Sequence, residues 1–257
     1  SGPSPSAGPA PAATPTTAGH GDHRHHAAGA AQSGAPGGTV VVHAADELRA
    51  TLTQLVPHFE AGFPGVRVAV EYGPAAGHAG HIRAGAPVDV FVSADAAAAA
   101  QVAAEHARGA PAVLARNPIV IAVPGATATG IAGVADLPGM RVALCAEATP
   151  CGRSSRAALA AAAVDVRPVA VEPDAAATLN RVRAGVADAA LVYRTDVVTA
   201  GAELRAIDFS HAARIADEYT AVKITTGANT VGADPFVTFL GSALARHIFA
   251  DAGLAPP

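Results

Sequence analysis

Imidazole and carboxylate side chains are concentrated in two early segments of the chain. His78 and His81 are three residues apart, so they share one face of a predicted helix. His43 lies near the end of a predicted strand, and Asp46 and Glu47 follow it. Imidazoles and carboxylates together suit a divalent transition metal. The alternative is that His43 and His78 are ordinary packed side chains, so the metal site is a hypothesis.

Two cysteines, Cys145 and Cys151, stand in the segment LCAEATPCG. A structural zinc site needs more ligands than these two. A catalytic nucleophile needs a paired base, and none is evident. The sequence also lacks a phosphate-binding loop, a nucleophile elbow, a zinc-protease helix motif and a dinucleotide glycine motif. It therefore predicts neither an enzyme nor a resident cofactor.

Residues 1–39 differ in composition from the rest of the chain, because they contain no large aliphatic or aromatic side chain. Such a segment cannot offset the entropy of ordering, so we interpret it as a disordered linker. Its histidines form either a loose metal tether or a solvated patch, and flexibility favours the patch. They are His20, His23, His25 and His26. The Pro-rich start is typical of the stretch after a lipidated Cys, so we expect a lipid anchor upstream of Ser1.

Composition excludes some classes of partner. Of the 257 residues 15% are charged, and the formal net charge is −4. A chain with so few basic residues offers no footprint for nucleic acid. No apolar run approaches the roughly 18 to 20 residues of a membrane span.

Predicted strands and helices alternate from residue 40 to the end. Short β-branched runs such as TVVVHA (39–44) and NPIVIAVP (117–124) read as buried strands. Helices follow most of them, the first with Asp46 as its N-cap. This alternation predicts an α/β fold of two lobes, each a mostly parallel sheet flanked by helices. We expect lobe one to comprise residues 40–116 and 219–257, and lobe two to comprise residues 117–218.

Six spaced segments resemble the periplasmic molybdate-binding protein family, the type II solute-binding proteins of ABC importers. The most specific are GAPVDVFVSAD (85–95) and ADAALVYRTD (187–196). The others, in chain order around these two, are VVVHAADEL, NPIVIAVP, PCG and YTAVK. The resemblance covers nearly all of residues 40–257. It implies a periplasmic-binding-protein type II fold with an oxyanion held in the cleft between the lobes, without metal or cofactor.

The resemblance also implies five ligand positions. The positions that match the family's contacts are Glu47, Ala75, Cys151, Ala175 and Tyr193. Backbone N–H groups at helix starts and the Tyr193 hydroxyl would donate hydrogen bonds to the anion. The family has Ser where this chain has Glu47 and Ala75, so both lobe-one hydroxyls are lost. Glu47 either turns outward, favoured by the helix dipole, or faces inward and repels an anion.

The expected function follows from the resemblance. We expect an extracytoplasmic, periplasmic or cell-surface protein that binds molybdate or tungstate as a monomer and delivers it to an ABC permease. In an exported protein an even cysteine count favours a disulfide, and the family resemblance also implies a Cys145–Cys151 bridge. Two alternatives stay open: the same scaffold adapted to another solute such as a divalent metal, and a non-transport sensor or interaction lipoprotein.

Overall fold

The computed structural model describes residue 8, residues 11–12 and residues 35–257. Most of the predicted linker therefore falls outside the described residues. The same is true of His20, His23, His25 and His26, for which the sequence left open either a metal tether or a solvated patch. In the described part of the chain, no helix has both the length and the apolar character that a membrane crossing requires.

The described residues form ten strands and nine α-helices. The strands are β1 (Gly38–Ala45), β2 (Val66–Gly73), β3 (Val90–Ser93), β4 (Ala112–Asn117), β5 (Ile119–Pro124), β6 (Val142–Cys145), β7 (Pro168–Glu172), β8 (Ala189–Tyr193), β9 (Leu204–Ile207) and β10 (Asp217–Lys223). The helices are α1 (Arg49–Gly62), α2 (Ala75–Arg83), α3 (Ala96–His106), α4 (Pro150–Ala161), α5 (Ala175–Arg183), α6 (Arg194–Ala200), α7 (Ser210–Arg214), α8 (Thr230–Leu240) and α9 (Ala243–Asp251).

The strands build two sheets of five. The first sheet has the order β2-β1-β3-β10-β4, and the second has the order β7-β6-β8-β5-β9. In the first sheet β1 runs parallel to β2 and β3, and β10 runs antiparallel to β3 and β4. In the second, β6 runs parallel to β7 and β8, and β5 runs antiparallel to β8 and β9.

This architecture confirms the predicted α/β fold with two sheets flanked by helices. The sheets are mixed rather than mostly parallel, because each has two parallel and two antiparallel pairings. The antiparallel pairings arise where the chain passes from one sheet to the other, at β4, β5, β9 and β10. The predicted lobe boundaries stay predictions.

Helices cover both faces of the first sheet. On one face α1, α8 and α9 bury a cluster that includes Leu52, Phe59 and Phe236, and the two phenylalanine rings lie 5.1 Å apart. On the other face α2 and α3 pack Ile82 and other apolar side chains against Phe91 of β3. Each such buried side chain contributes about 1.5–3 kcal/mol of hydrophobic stabilisation. The two faces thus hold α1 and α2 on opposite sides of β1.

The start of the first helix differs from the prediction. Asp46 is not an N-cap: the chain forms a 3-10 turn over Asp46–Leu48 after Ala45, without a side-chain cap. The Asp46 carboxylate instead accepts a hydrogen bond from Arg49 at 3.3 Å. Pro57 lies inside α1, and the helix continues to Gly62.

Pro118 divides what the sequence predicts as one strand. The run 117–124 belongs to two strands of different sheets, because β4 ends at Asn117 and β5 begins at Ile119. Proline has no N–H for a strand ladder, so neither sheet can continue through this residue. The chain crosses back between β9, which the sequence did not predict, and β10.

The start of α4 packs tightly on the loop that precedes it. Gly152 lies in the first turn of α4 and is buried. A methyl group on Gly152 would overlap the carbonyl oxygen of Ala146 and lie 2.8 Å from the carbonyl oxygen of Cys145. Only glycine allows this approach of helix and backbone.

We predict that Gly152→Ala lowers the free energy of unfolding by about 1–3 kcal/mol, because the helix start must move away from the loop. Urea unfolding followed by circular dichroism measures the change. Gly80→Ala on α2 is the matched control, since a methyl group there meets no atom within 4 Å. The control should leave stability equal or about 1 kcal/mol higher. Equal effects of the two substitutions would contradict the packing argument.

Candidate functional site

The carboxyl ends of the parallel strands carry the predicted ligand positions. In the first sheet β1 leads into the 3-10 turn at Asp46, and β2 leads into α2. In the second sheet β6 leads to α4 and β7 leads to α5. Ligands of open α/β sheets bind outside these strand ends. Each edge therefore presents the first turns of two helical segments.

Four of the five predicted ligand residues lie in the first turn of a helical segment. Glu47 lies in the 3-10 turn, Ala75 begins α2, Cys151 is the second residue of α4 and Ala175 begins α5. The first N–H groups of a helix have no partner inside the helix, and they carry the positive end of its dipole. Cys151 is buried, Ala75 and Ala175 are half-buried, and Glu47 is exposed.

Two helix caps leave these early N–H groups to other acceptors. The Thr149 hydroxyl accepts from the N–H of Gly152 at 3.0 Å, and the Asp174 carboxylate accepts from the N–H of Ala177 at 2.7 Å. Each cap satisfies the N–H group of the third residue of its helix. Pro150 has no N–H, so Cys151 in α4 and Ala175 and Ala176 in α5 carry the earlier N–H groups that an anion could use.

The predicted disulfide between Cys145 and Cys151 is confirmed, with Cα atoms 5.8 Å apart. It joins the end of β6 to the first turn of α4. The Thr149 hydroxyl also donates to the carbonyl oxygen of Ala146 at 2.7 Å, and Arg156 donates to that of Cys145 at 2.9 Å. The loop that places the Cys151 N–H is thus held by a covalent bond and by hydrogen bonds.

Tyr193, the fifth predicted ligand, is engaged with protein groups. Its hydroxyl donates a short hydrogen bond to the Asp217 carboxylate and lies 3.0 Å from the Ser154 hydroxyl. Ser154 also lies 3.1 Å from the Asp217 carboxylate. Burial and the hydrogen bond to Asp217 raise the pKa of Tyr193, so its hydroxyl stays protonated. The group brings together β8 and α4 of the second sheet layer and β10 of the first.

Acidic groups from both sheets lie near one another. Burial raises the pKa of Asp196 to about 6, although the hydrogen bond from the Tyr193 N–H opposes this, and the Glu47 charge raises it further. Burial also raises the pKa of Tyr219, with the charge of Glu47 among the causes. Glu47 is therefore close enough to act electrostatically on Asp196 of α6, across from its own sheet.

Asn117 forms a second link at the crossing between the sheets. Its side-chain amide donates to the Thr195 hydroxyl at 3.1 Å and to the Tyr219 hydroxyl at 3.2 Å. Asn117 ends β4, Thr195 belongs to α6 and Tyr219 to β10. These bonds hold the start of α6 beside the two strands that lead to and from the second sheet.

The structure brings together three of the five residues proposed for a metal. One ring nitrogen of each of His43, His78 and His81 lies within 4.8 Å of the others. Asp46 and Glu47 do not belong to this group, because both lie on the exposed 3-10 turn beyond the end of β1. Burial lowers the pKa of His43, as do the charges of His78 and His81, whereas Glu71 raises it.

Sequence reasoning missed most of the polar groups around Tyr193. Asp196 stands in the YRTD segment that supports the family resemblance, and Asp217 stands two residues before YTAVK. Both were visible as acids beside matched motifs, but their contacts depend on the meeting of distant strands. Asn117 likewise begins the matched segment NPIVIAVP and Ser154 stands two residues after PCG, but neither pattern predicts their polar contacts.

Comparison with known proteins agrees with this architecture. A family model described as bacterial extracellular solute-binding protein matches residues 40–255. The chain is 33% identical to the molybdate-binding protein ModA of Mycobacterium tuberculosis H37Rv over 222 residues, 85% of each chain.

Two solved structures are similar in fold. One is a substrate-binding domain assigned to a molybdenum ABC transporter of Clostridium difficile, with a TM-score of 0.75 and 20% identity, covering 85% of this chain and 99% of that one. The other is the periplasmic molybdate-binding protein of Azotobacter vinelandii, with a TM-score of 0.60, 21% identity and the same coverage. The family match and the ModA relative together establish that this chain belongs to the bacterial extracellular solute-binding proteins.

Proposed function

We propose that this protein captures molybdate or tungstate outside the cytoplasm and delivers it to an ABC permease. The observation that carries the proposal is the 33% identity with ModA over 85% of both chains. The site geometry is consistent with it, because helices that follow the parallel strands of both sheets begin with N–H groups that an anion could use. A tetrahedral dianion can be held by such donors without Lys or Arg.

The anion-binding groups in this proposal are the N–H groups of Glu47, Ala75, Cys151 and Ala175, with the Tyr193 hydroxyl. The Tyr193 hydroxyl has one proton, and it is donated to Asp217. Anion binding therefore requires that the ligand replace Asp217 as the acceptor. Ser154 can keep its hydrogen bond to Asp217 during this exchange, because its hydroxyl lies 3.1 Å from that carboxylate.

Membership of the family supports a proposal for the wider role. We propose that the protein binds its solute as a monomer, has no enzymatic activity and is held at the outer face of the membrane by a lipid anchor upstream of Ser1. A divalent metal as the transported solute is not favoured, because the relative with 33% identity is a molybdate-binding protein. The other alternative, a sensor lipoprotein that does not take part in transport, requires that the site has lost its affinity for oxyanions.

Titration calorimetry with molybdate, tungstate, sulfate and phosphate tests the proposal. We expect one equivalent of molybdate or tungstate to bind with micromolar or tighter affinity, each displacing the other, and sulfate to bind at least tenfold more weakly. Absence of heat and of thermal stabilisation with both metal oxyanions would refute it. Preferential binding of sulfate would identify sulfate, instead of molybdate or tungstate, as the ligand.

We predict that Asp217→Asn tightens molybdate binding by at least about tenfold. The substitution removes a negative charge beside the site and weakens the competitor for the Tyr193 proton, and like charges in contact cost several kcal/mol. Glu203→Gln is the control, since its exposed side chain pairs with Arg183 and the charge change is the same. Equal molybdate affinity in the two variants would show that Asp217 does not act on the bound anion.

We predict that oxyanion affinity rises severalfold as the pH falls from about 7.5 to about 5.5, because Asp196 has a pKa of about 6 and becomes neutral. A neutral side chain no longer repels the dianion. Asp196→Asn keeps an acceptor for the Tyr193 N–H and should remove this dependence. Protonation of the ligand affects both proteins alike, so the difference between their titrations isolates Asp196. Parallel pH profiles would contradict the prediction.

A further inference from the structure

We propose that His43, His78 and His81 form a binding site for a divalent transition metal of the Zn(II) type, separate from the oxyanion site. This inference goes beyond the proposed function and does not depend on it. Its basis is the convergence of three imidazoles from β1 and α2. The site would join the first strand to the helix packed on its face.

The cluster combines a buried interior with an accessible side. His43 and His78 are 5% and 4% exposed, whereas His81 lies on the exposed side of α2. The His43 ring centroid lies 4.8 Å from that of His78 and 6.1 Å from that of His81. A metal could therefore enter past His81 and reach two rings that are fixed by packing.

In His43, one buried ring nitrogen has no hydrogen-bond partner among the described residues. Its Nε2 lies 3.1 Å from the carboxylate of Glu71, its neighbour across the β1–β2 pairing. Donation of the Nε2 proton to Glu71 leaves a lone pair on Nδ1, which is buried and has no hydrogen-bond partner among the described residues. An unsatisfied buried nitrogen is costly. A carboxylate behind a ligating imidazole is a common outer partner in metal sites.

His78 has a similar arrangement. Its Nε2 lies 2.9 Å from the carbonyl oxygen of Ala44, so this nitrogen donates a proton and the other one carries the lone pair. Two of the three rings are thus held in the neutral tautomers that can ligate a metal. The Nε2 of each of these two rings donates its proton to a protein oxygen.

Ligand number and spacing favour a zinc-type ion. Three imidazoles with one open position for water form a known tetrahedral set, with bonds of about 2.0–2.1 Å. Nitrogens around such an ion are roughly 3.4 Å apart. The observed limit of 4.8 Å therefore requires a modest contraction. Rotation of the exposed His81 side chain toward the two buried rings can supply it.

Zinc titration of the full chain tests the site. The four tail histidines, His20, His23, His25 and His26, are first replaced by Ala so that they do not contribute. Without any oxyanion present, we expect one equivalent of Zn(II) to bind by calorimetry with micromolar or tighter affinity. We also expect Co(II) to give the intense visible absorption of a four-coordinate site. Failure to bind either ion would overturn the proposal.

Matched variants assign the binding to the cluster. His81→Ala should weaken zinc binding at least tenfold, and Glu71→Gln should weaken it about 10–100-fold through His43. His58→Ala, an exposed histidine on α1, should leave the affinity unchanged. Thermal unfolding without metal checks that each variant is folded. Equal zinc affinities of the His81→Ala and His58→Ala proteins would show that any bound zinc is held outside this cluster.

Discussion

The hydrogen bonds among Asp217, Tyr193 and Ser154 determine how the two sheets meet. Asp217 begins the strand that returns to the first sheet, and Tyr193 ends the central strand of the second. A buried tyrosine hydroxyl needs an acceptor, and the carboxylate provides a strong one. The same contact places a negative charge beside the hydroxyl that the family resemblance assigns to the ligand. This interaction therefore joins the two sheets and, in the proposed site, would compete with the solute.

The electrostatics of the cleft depend on backbone groups more than on basic side chains. Four helical segments begin at the carboxyl ends of parallel strands, two in each sheet, and their first N–H groups supply positive potential without a full charge. Against this stand Glu47, Asp196 and Asp217, of which Asp196 has a pKa raised to about 6. In the proposed site, the balance between fixed dipoles and titratable acids would set the anion affinity. This arrangement of backbone donors and acids differs from a site in which both lobes supply hydroxyl donors.

Local patterns predicted the elements better than the contacts between them. Buried β-branched runs identified most strands, and Asp174 could be recognised before α5 because a helix cap is a local feature. The prediction of Asp46 as an N-cap was wrong, because a 3-10 turn precedes α1. The sequence did not predict that Pro118 divides the run 117–124 between the two sheets. The contact of Tyr193 with Asp217 joins residues 24 positions apart across two sheets, and no local pattern encodes it.

The Cys145–Cys151 bridge has a consequence for how the protein matures. They are the only two cysteines among residues 1–257, so within these residues one intramolecular pairing is possible. Forming it needs an electron acceptor but no choice between alternative partners within these residues. A protein that must work outside the reducing cytoplasm can thereby acquire a rigid binding loop in a single step, whichever oxidant it meets first.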